Sequence, residues 1–182
     1  MTDREIKILQ FLSQTRIATT KQIQMVYFNN VHHTICYNKL NGLIDKKLLK
    51  RKYYNISPHK NSYVYYLDKA PSKRNLQHDL LITEFMVQLI LNGYEIISFE
   101  KSPIIGGIVP DAEIWTNKGG IFLEVQLSPH ECIKKYFNLK HKVERDIPST
   151  LYIVTNQKID TPKLRDMRII IDNLSMGGIS NV

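Results

Sequence analysis

The stretch IVPDAEIWTNKGGIFLEVQLS, Ile108–Ser128, decides how the second half of this chain is read. Two alternating runs, Ile108–Trp115 and Ile121–Leu127, flank Thr116-Asn117-Lys118-Gly119-Gly120. Alternation around a polar break that ends in glycine predicts a β-hairpin. Successive side chains on a strand point to opposite faces. One face of the predicted hairpin is wholly apolar: Ile108, Pro110, Ala112 and Ile114 with Ile121, Leu123, Val125 and Leu127. It must face a core. The other face carries Val109, Asp111, Glu113 and Trp115 with Phe122, Glu124 and Gln126. A two-residue loop at Asn117-Lys118 sets Asp111 opposite Glu124, and a four-residue loop sets it opposite Gln126. In either register the acids are cross-strand or diagonal neighbours.

Like charges facing each other across a ladder are destabilising. Three remedies exist: a raised pKa, a cationic side chain between them, or a bound metal. Oxygen-only ligands at this spacing suit Mg²⁺ or Mn²⁺. The competing reading is a solvated polar face whose acids keep the sheet soluble.

Working outward, 182 residues suffice for two small domains or one of medium size. An apolar content of 43% with 23% charged residues is that of a globular protein. No apolar run approaches the roughly 18 residues of a membrane span. The N-terminal MTDREIKILQ lacks the apolar core of a signal peptide. Cys36 and Cys132 are far apart and have no partners at metal-ligand spacing, so a reduced, cytoplasmic protein is expected. The net charge of +8 is uneven. Residues 1–75 hold 14 Lys+Arg against 4 Asp+Glu, whereas residues 76–182 hold 11 against 13. The step predicts a domain boundary near Lys69–Asn75, with domains at 1–70 and 76–175 and a loose tail at 176–182. It also predicts that the first domain binds a polyanion, nucleic acid above all.

The first domain reads as three helices. Ile6, Leu9 and Leu12 are at helical spacing behind Asp3, the expected N-cap. Thr19 or Thr20 caps a short helix, Lys21–Phe28. A third helix runs from about His32 to Lys47, with Cys36, Leu40, Leu43 and Ile44 as its buried stripe. Two strand-like runs follow, Leu48–Ile56 and Ser62–Leu67, around the turn Ser57–Asn61. Three helices and then a basic, tyrosine-rich hairpin predict a winged helix-turn-helix. The third helix would enter a major groove, where Thr34, Tyr37, Asn38 and Asn41 reach base edges. Lys50, Arg51, Lys52, His59 and Lys60 are the expected phosphate contacts.

The rest reads as a long apolar helix at Leu76–Leu91, a strand at Tyr94–Phe99 and the hairpin. Then come a helix at His130–Arg145, a strand at Leu151–Val154, a short helix at Thr161–Asp166 and a strand at Arg168–Ile171. The fold class is mixed α/β, with the order α-β-β-β-α-β-α-β in the second domain.

That order, with Pro110-Asp111 on the second strand and Glu124-Val125-Gln126 on the third, resembles the restriction-endonuclease-like fold and its PD-(D/E)xK motif. The resemblance implies catalytic roles for Asp111, Glu124 and Gln126, with Mg²⁺ or Mn²⁺ on Asp111 and Glu124 if the site is active. Gln126 stands where the family has its lysine. Lys134 or Lys135 on the next helix is expected to supply the charge, and Glu84 a further ligand. The whole chain resembles the replication-relaxation family of Gram-positive plasmids, phages and integrative elements. The resembling residues are His78-Asp79-Leu80-Leu81, Pro110-Asp111-Ala112, Phe122-Leu123-Glu124-Val125-Gln126 and the pair Lys135-Tyr136. This implies a DNA-binding protein acting in plasmid replication or relaxation, or in transcription control. Its expected partners are double-stranded DNA, a second copy of the chain and replication or relaxosome proteins, and no membrane. The alternative is a metal-dependent DNA endonuclease targeted by its winged helix.

Overall fold

Thr2, not Asp3, caps the first helix. Its hydroxyl accepts from the Glu5 N–H and the Glu5 carboxylate accepts from the Thr2 N–H, a reciprocal capping box. Asp3 is instead the first residue of α1, Asp3–Thr15. Thr19 and Gln22 repeat the device ahead of α2, Thr20–Tyr27. His32 caps α3, His33–Asp45, whose Cys36, Leu40 and Leu43 are buried. The computed structural model describes residues 1–57, 60–128, 133–137, 139, 146–159, 164 and 167–181. Among these it is a mixed α/β structure with four α-helices and two sheets.

The chain forms two compact units, Met1–Val87 and Gln88–Val182. In the first, β1 (Ile17–Thr19), β2 (Lys50–Ser57) and β3 (Lys60–Tyr66) make an antiparallel sheet in the order β1-β3-β2. β1 was not expected, because three residues show no periodicity. Only its pairing with Val64–Tyr66 makes it a strand. Ile17, Tyr54 and Val64 pack against Leu76 and Leu80 at the start of α4, Leu76–Leu91. The Thr83 hydroxyl also donates to the Ile17 carbonyl at 2.8 Å. The units therefore part at Val87, inside α4, and not at the charge step near Lys69–Asn75. Charge records what faces solvent, whereas the division follows buried contacts.

The second unit holds β4 (Ile96–Lys101), β5 (Ala112–Thr116), β6 (Gly119–Gln126), β7 (Thr150–Thr155) and β8 (Arg168–Asp172), in that order across one sheet. β4, β5 and β6 pair antiparallel, while β6, β7 and β8 pair parallel. A parallel pair needs a crossover of about a dozen residues or more. Residues 127–149 provide the one between β6 and β7. The helix expected over His130–Arg145 lies largely outside the described residues, and its described part, Ile133–Tyr136, is a 3-10 turn. The short helix expected over Thr161–Asp166 also falls almost wholly outside them.

Two ends of the hairpin differ from expectation. β5 begins at Ala112, because Ile105–Ile108 closes a tight turn through Gly106 and Gly107, both at positive φ. The alternation is broken there, and Ile108 packs with Phe122 instead of with Ile114. Leu127 lies beyond the end of β6 and is exposed. The tail is not loose over its described residues. The Asp172 carboxylate takes hydrogen bonds from the Gly178 N–H and the Tyr152 hydroxyl, Tyr94 donates to the Ile179 carbonyl, and Met176 and Ile179 are buried.

Gly120 has no room for a side chain. A Cβ there would stand 2.9 Å from both the Pro148 Cα and the Trp115 ring. Gly120→Ala is expected to cost about 1–3 kcal/mol, the usual penalty of overpacking. The check is a lowered urea midpoint, and an unchanged midpoint would mean that the 146–149 segment yields freely.

Candidate functional site

Register decides which acids meet. The pairs Ala112–Leu123, Glu113–Phe122 and Thr116–Gly119 fix a two-residue loop at Asn117-Lys118. Asp111, just before β5, is thereby brought alongside β6 at Glu124. Its backbone N–H donates to the Leu123 carbonyl, and its Oδ2 accepts from the Val125 N–H at 2.7 Å. Glu124 lies in the middle of the sheet, paired on its far side with Ile153 of β7.

The acids do not occupy a solvated face. Parallel strands in a sheet covered on both sides read as continuous burial, and every residue of β6 from Gly120 to Gln126 is buried. Glu113, Glu124 and Gln126 are 4%, 5% and 8% exposed. The covering comes from Ile133, Tyr136 and Leu139, which cluster with Phe122, Leu151 and Ile153.

Two of the three remedies for facing acids are in place together. Lys135 Nζ stands 2.7 Å from Glu124 Oε1 and also donates to the Val109 carbonyl at 2.8 Å. The Tyr136 hydroxyl donates to the same Oε1, and its ring rests on Phe122 at 5.5 Å between centroids. Burial pushes the Glu124 carboxyl up to about 7, with the Asp111 charge adding to the rise and Lys135 and Tyr136 opposing it. Of the two lysines left open by sequence, Lys135 reaches Glu124, and Lys134 is exposed. Sequence alone gives Tyr136 no site role. Its role follows from a turn that no periodicity announces.

The donor set partly fits a divalent cation. Two carboxylates lie side by side, and both described partners of Glu124 fall on Oε1, leaving Oε2 facing neither of them. Gln126, two residues along the same face, offers a neutral amide. Among the described residues no group of three or more His, Cys, Asp or Glu side chains is arranged to hold a metal. Glu113 accepts from the Trp115 indole at 3.3 Å. Glu84, in the first unit, accepts from Gln22 at 2.9 Å.

The first unit carries the second group of expected site residues. On α3, Thr34 and Asn38 are exposed, as are Ile35 and Lys39 beside them, while Tyr37 and Asn41 are half-buried. Lys39 belongs to the outward stripe, and a helical projection of the third helix contains that signal. Arg51 is turned to α3. Its Nη1 donates to Asn41 Oδ1 at 2.6 Å, and its guanidinium lies 5.2 Å from the Tyr37 ring centre and 4.5 Å from that of Tyr63. Such cation–π contacts contribute about 0.5–1 kcal/mol each when half-exposed. Lys50 and Lys52 lie on the other side of β2, because neighbours on a strand face opposite ways. Lys50 donates to the Asp68 carbonyl and Lys52 lies over Tyr54. The three basic residues thus do not form one cluster. His59 lies outside the described residues. Lys60 begins β3.

The pH dependence of stability tests the acid site. Glu124 holds its proton more tightly folded than unfolded, so its contribution favours the fold at low pH and is lost as pH rises from 4.5 to about 7. The loss is on the order of 3 kcal/mol. Glu124→Gln stays neutral throughout and is expected to flatten this segment, read by urea unfolding from about pH 4 to 8. An identical slope in the variant would mean that Lys135 keeps the carboxylate charged across the range.

No family model, no curated protein and no solved structure matches the chain, so its functional reading rests on these residues and their geometry.

Proposed function

We propose that the protein binds double-stranded DNA through its first unit, a winged helix-turn-helix in which α3 is the recognition helix and β2–β3 the wing. The observation that carries this reading is the polar stripe Thr34, Asn38 and Lys39 on α3, exposed on a segment with ten more basic than acidic residues. Short polar side chains and a lysine suit base edges and phosphates in a major groove. Lys50 and Lys52, also exposed, add phosphate contacts from the wing. The resembled family places such a protein on a mobile element, in plasmid replication or relaxation or in transcription control. A homodimer on a near-palindrome fits that role, with half-sites about 34 Å apart.

A second reading is favoured by one observation: Asp111, Glu124 and Lys135 come together beside Gln126, although they are spread over 25 residues of chain. This supports a nuclease-like second unit of the PD-(D/E)xK kind with its lysine supplied from the following turn. Asp111 and Glu124 would hold Mg²⁺ or Mn²⁺. A bound ion supplies an activated water and neutralises charge on a phosphodiester. Lys135 contributes the positive charge that Gln126 cannot, and Gln126 can orient a water by hydrogen bonding.

Binding to a selected DNA site tests the first reading. Asn38→Ala is expected to lower specific affinity about tenfold while leaving non-specific binding nearly intact. Equal weakening on all sequences would remove its base-reading role. Lys39→Ala is expected to reduce the slope of log affinity against log salt by about one. The second reading is tested by titrating Mg²⁺ and Mn²⁺ into the protein and into Glu124→Ala by calorimetry. Heat that disappears in the variant supports the metal site, and silence from both proteins makes the second unit a non-catalytic partner of the first.

A further inference from the structure

We infer that Ile35 is a specificity-determining residue that packs on the 5-methyl group of a thymine in the DNA major groove. The inference rests on the reading of α3 as a recognition helix. On a helix surface, residues three and four apart are neighbours. Ile35 therefore stands one turn ahead of Asn38 and Lys39, within the outward stripe that carries the DNA reading. Among the described residues of α3 it is the one exposed large apolar side chain, at 46%. Its backbone N–H donates to the His32 carbonyl at 3.0 Å, which fixes it in the first turn. The N-terminal residues of a recognition helix are those that meet base edges. Isoleucine is also stiff: one χ1 rotamer dominates in a helix, so little freedom is lost when the side chain is covered. Seven residues on, Gly42 lies on the same side of the helix. A Cβ there would meet nothing within 4 Å, so packing inside the fold does not require this glycine. Glycine is unfavourable inside a helix. A bare patch beside an exposed isoleucine suits close approach by something outside the fold.

The groove dictates what an apolar side chain can find there. Adenine, guanine and cytosine present hydrogen-bonding edges, and thymine adds a methyl group, the principal apolar feature of the major groove. The Ile35 side chain makes no hydrogen bond. Over any other base it would cover polar atoms without satisfying them, which costs affinity. Over thymine it covers a methyl group, which gains affinity. Asn38 and Lys39 on the same stripe offer the polar contacts beside it. Thr34 is exposed next to Ile35 and also carries a methyl group, so it serves as the control.

Selection from random DNA gives the site, and deoxyuridine placed for each thymine in turn removes the methyl group and nothing else. Affinities of the whole chain for these duplexes test the inference. At one position the wild-type protein should lose about fourfold in affinity, the effect of one methyl group no longer buried. Ile35→Ala should bind the thymine and uracil duplexes alike at that position. It should also keep the wild-type salt slope, because no charge is removed. Alanine is the better helix former and the position is exposed, so this variant keeps its fold. Thr34→Ser removes the neighbouring methyl group and should keep the discrimination. Discrimination that survives Ile35→Ala, or that is lost in Thr34→Ser instead, overturns the inference. So does a site in which no exchange of thymine for uracil weakens binding. Binding without any selected sequence overturns it too, while leaving the first unit a DNA binder. If the wild-type protein binds no DNA at all, the DNA reading fails and takes the inference with it.

Discussion

A carboxylate buried in the middle of a sheet must be satisfied, and the second unit is arranged around doing so for Glu124. Its adjacent residues on β6, Leu123 and Val125, and its partner on β7, Ile153, are apolar. One turn of 3-10 helix outside the sheet delivers Lys135 and Tyr136 to the same oxygen. That turn also brings Ile133 and Tyr136 onto Phe122. Polar satisfaction and apolar covering are therefore two results of one chain reversal. A solvated acid would have needed neither, and the sheet face would have stayed open.

Why an acid should be kept there is a physical question in itself. Replacing a buried ion pair with apolar residues of similar volume is often neutral or stabilising. Glu124 with its raised pKa, next to Asp111, carries a cost in stability that an apolar residue would avoid. Strain of this kind concentrates at functional positions. The first unit shows the milder version: Arg51 gives up solvation to hold α3 and the hairpin together, with aromatic faces and one amide in return.

What the sequence made legible follows the range of the forces involved. α4 was readable to the residue, because sixteen mostly apolar residues without Gly or Pro are too long for a strand. The facing of Asp111 and Glu124 was readable from period-two alternation, once the loop length was chosen. The burial of their face was not, because it depends on residues 133–139, far along the chain and in a short turn without a repeating pattern. β1 was invisible for a related reason: pairing with β3 creates it. The run Lys50-Arg51-Lys52 is uniform in composition, but strand alternation turns its middle member toward α3 and the other two away.

The charge asymmetry now has a structural counterpart. Counterion release rewards the cations that reach phosphate, whatever the sequence beneath. The first unit, with its excess of exposed lysines, can supply that term, and its fixed α3 and hairpin can supply discrimination. The second unit has a negative balance, and its best-placed lysine is already held by Glu124. Such a site gains little from capturing DNA out of solution. Under the proposed reading the first unit therefore supplies the affinity for DNA.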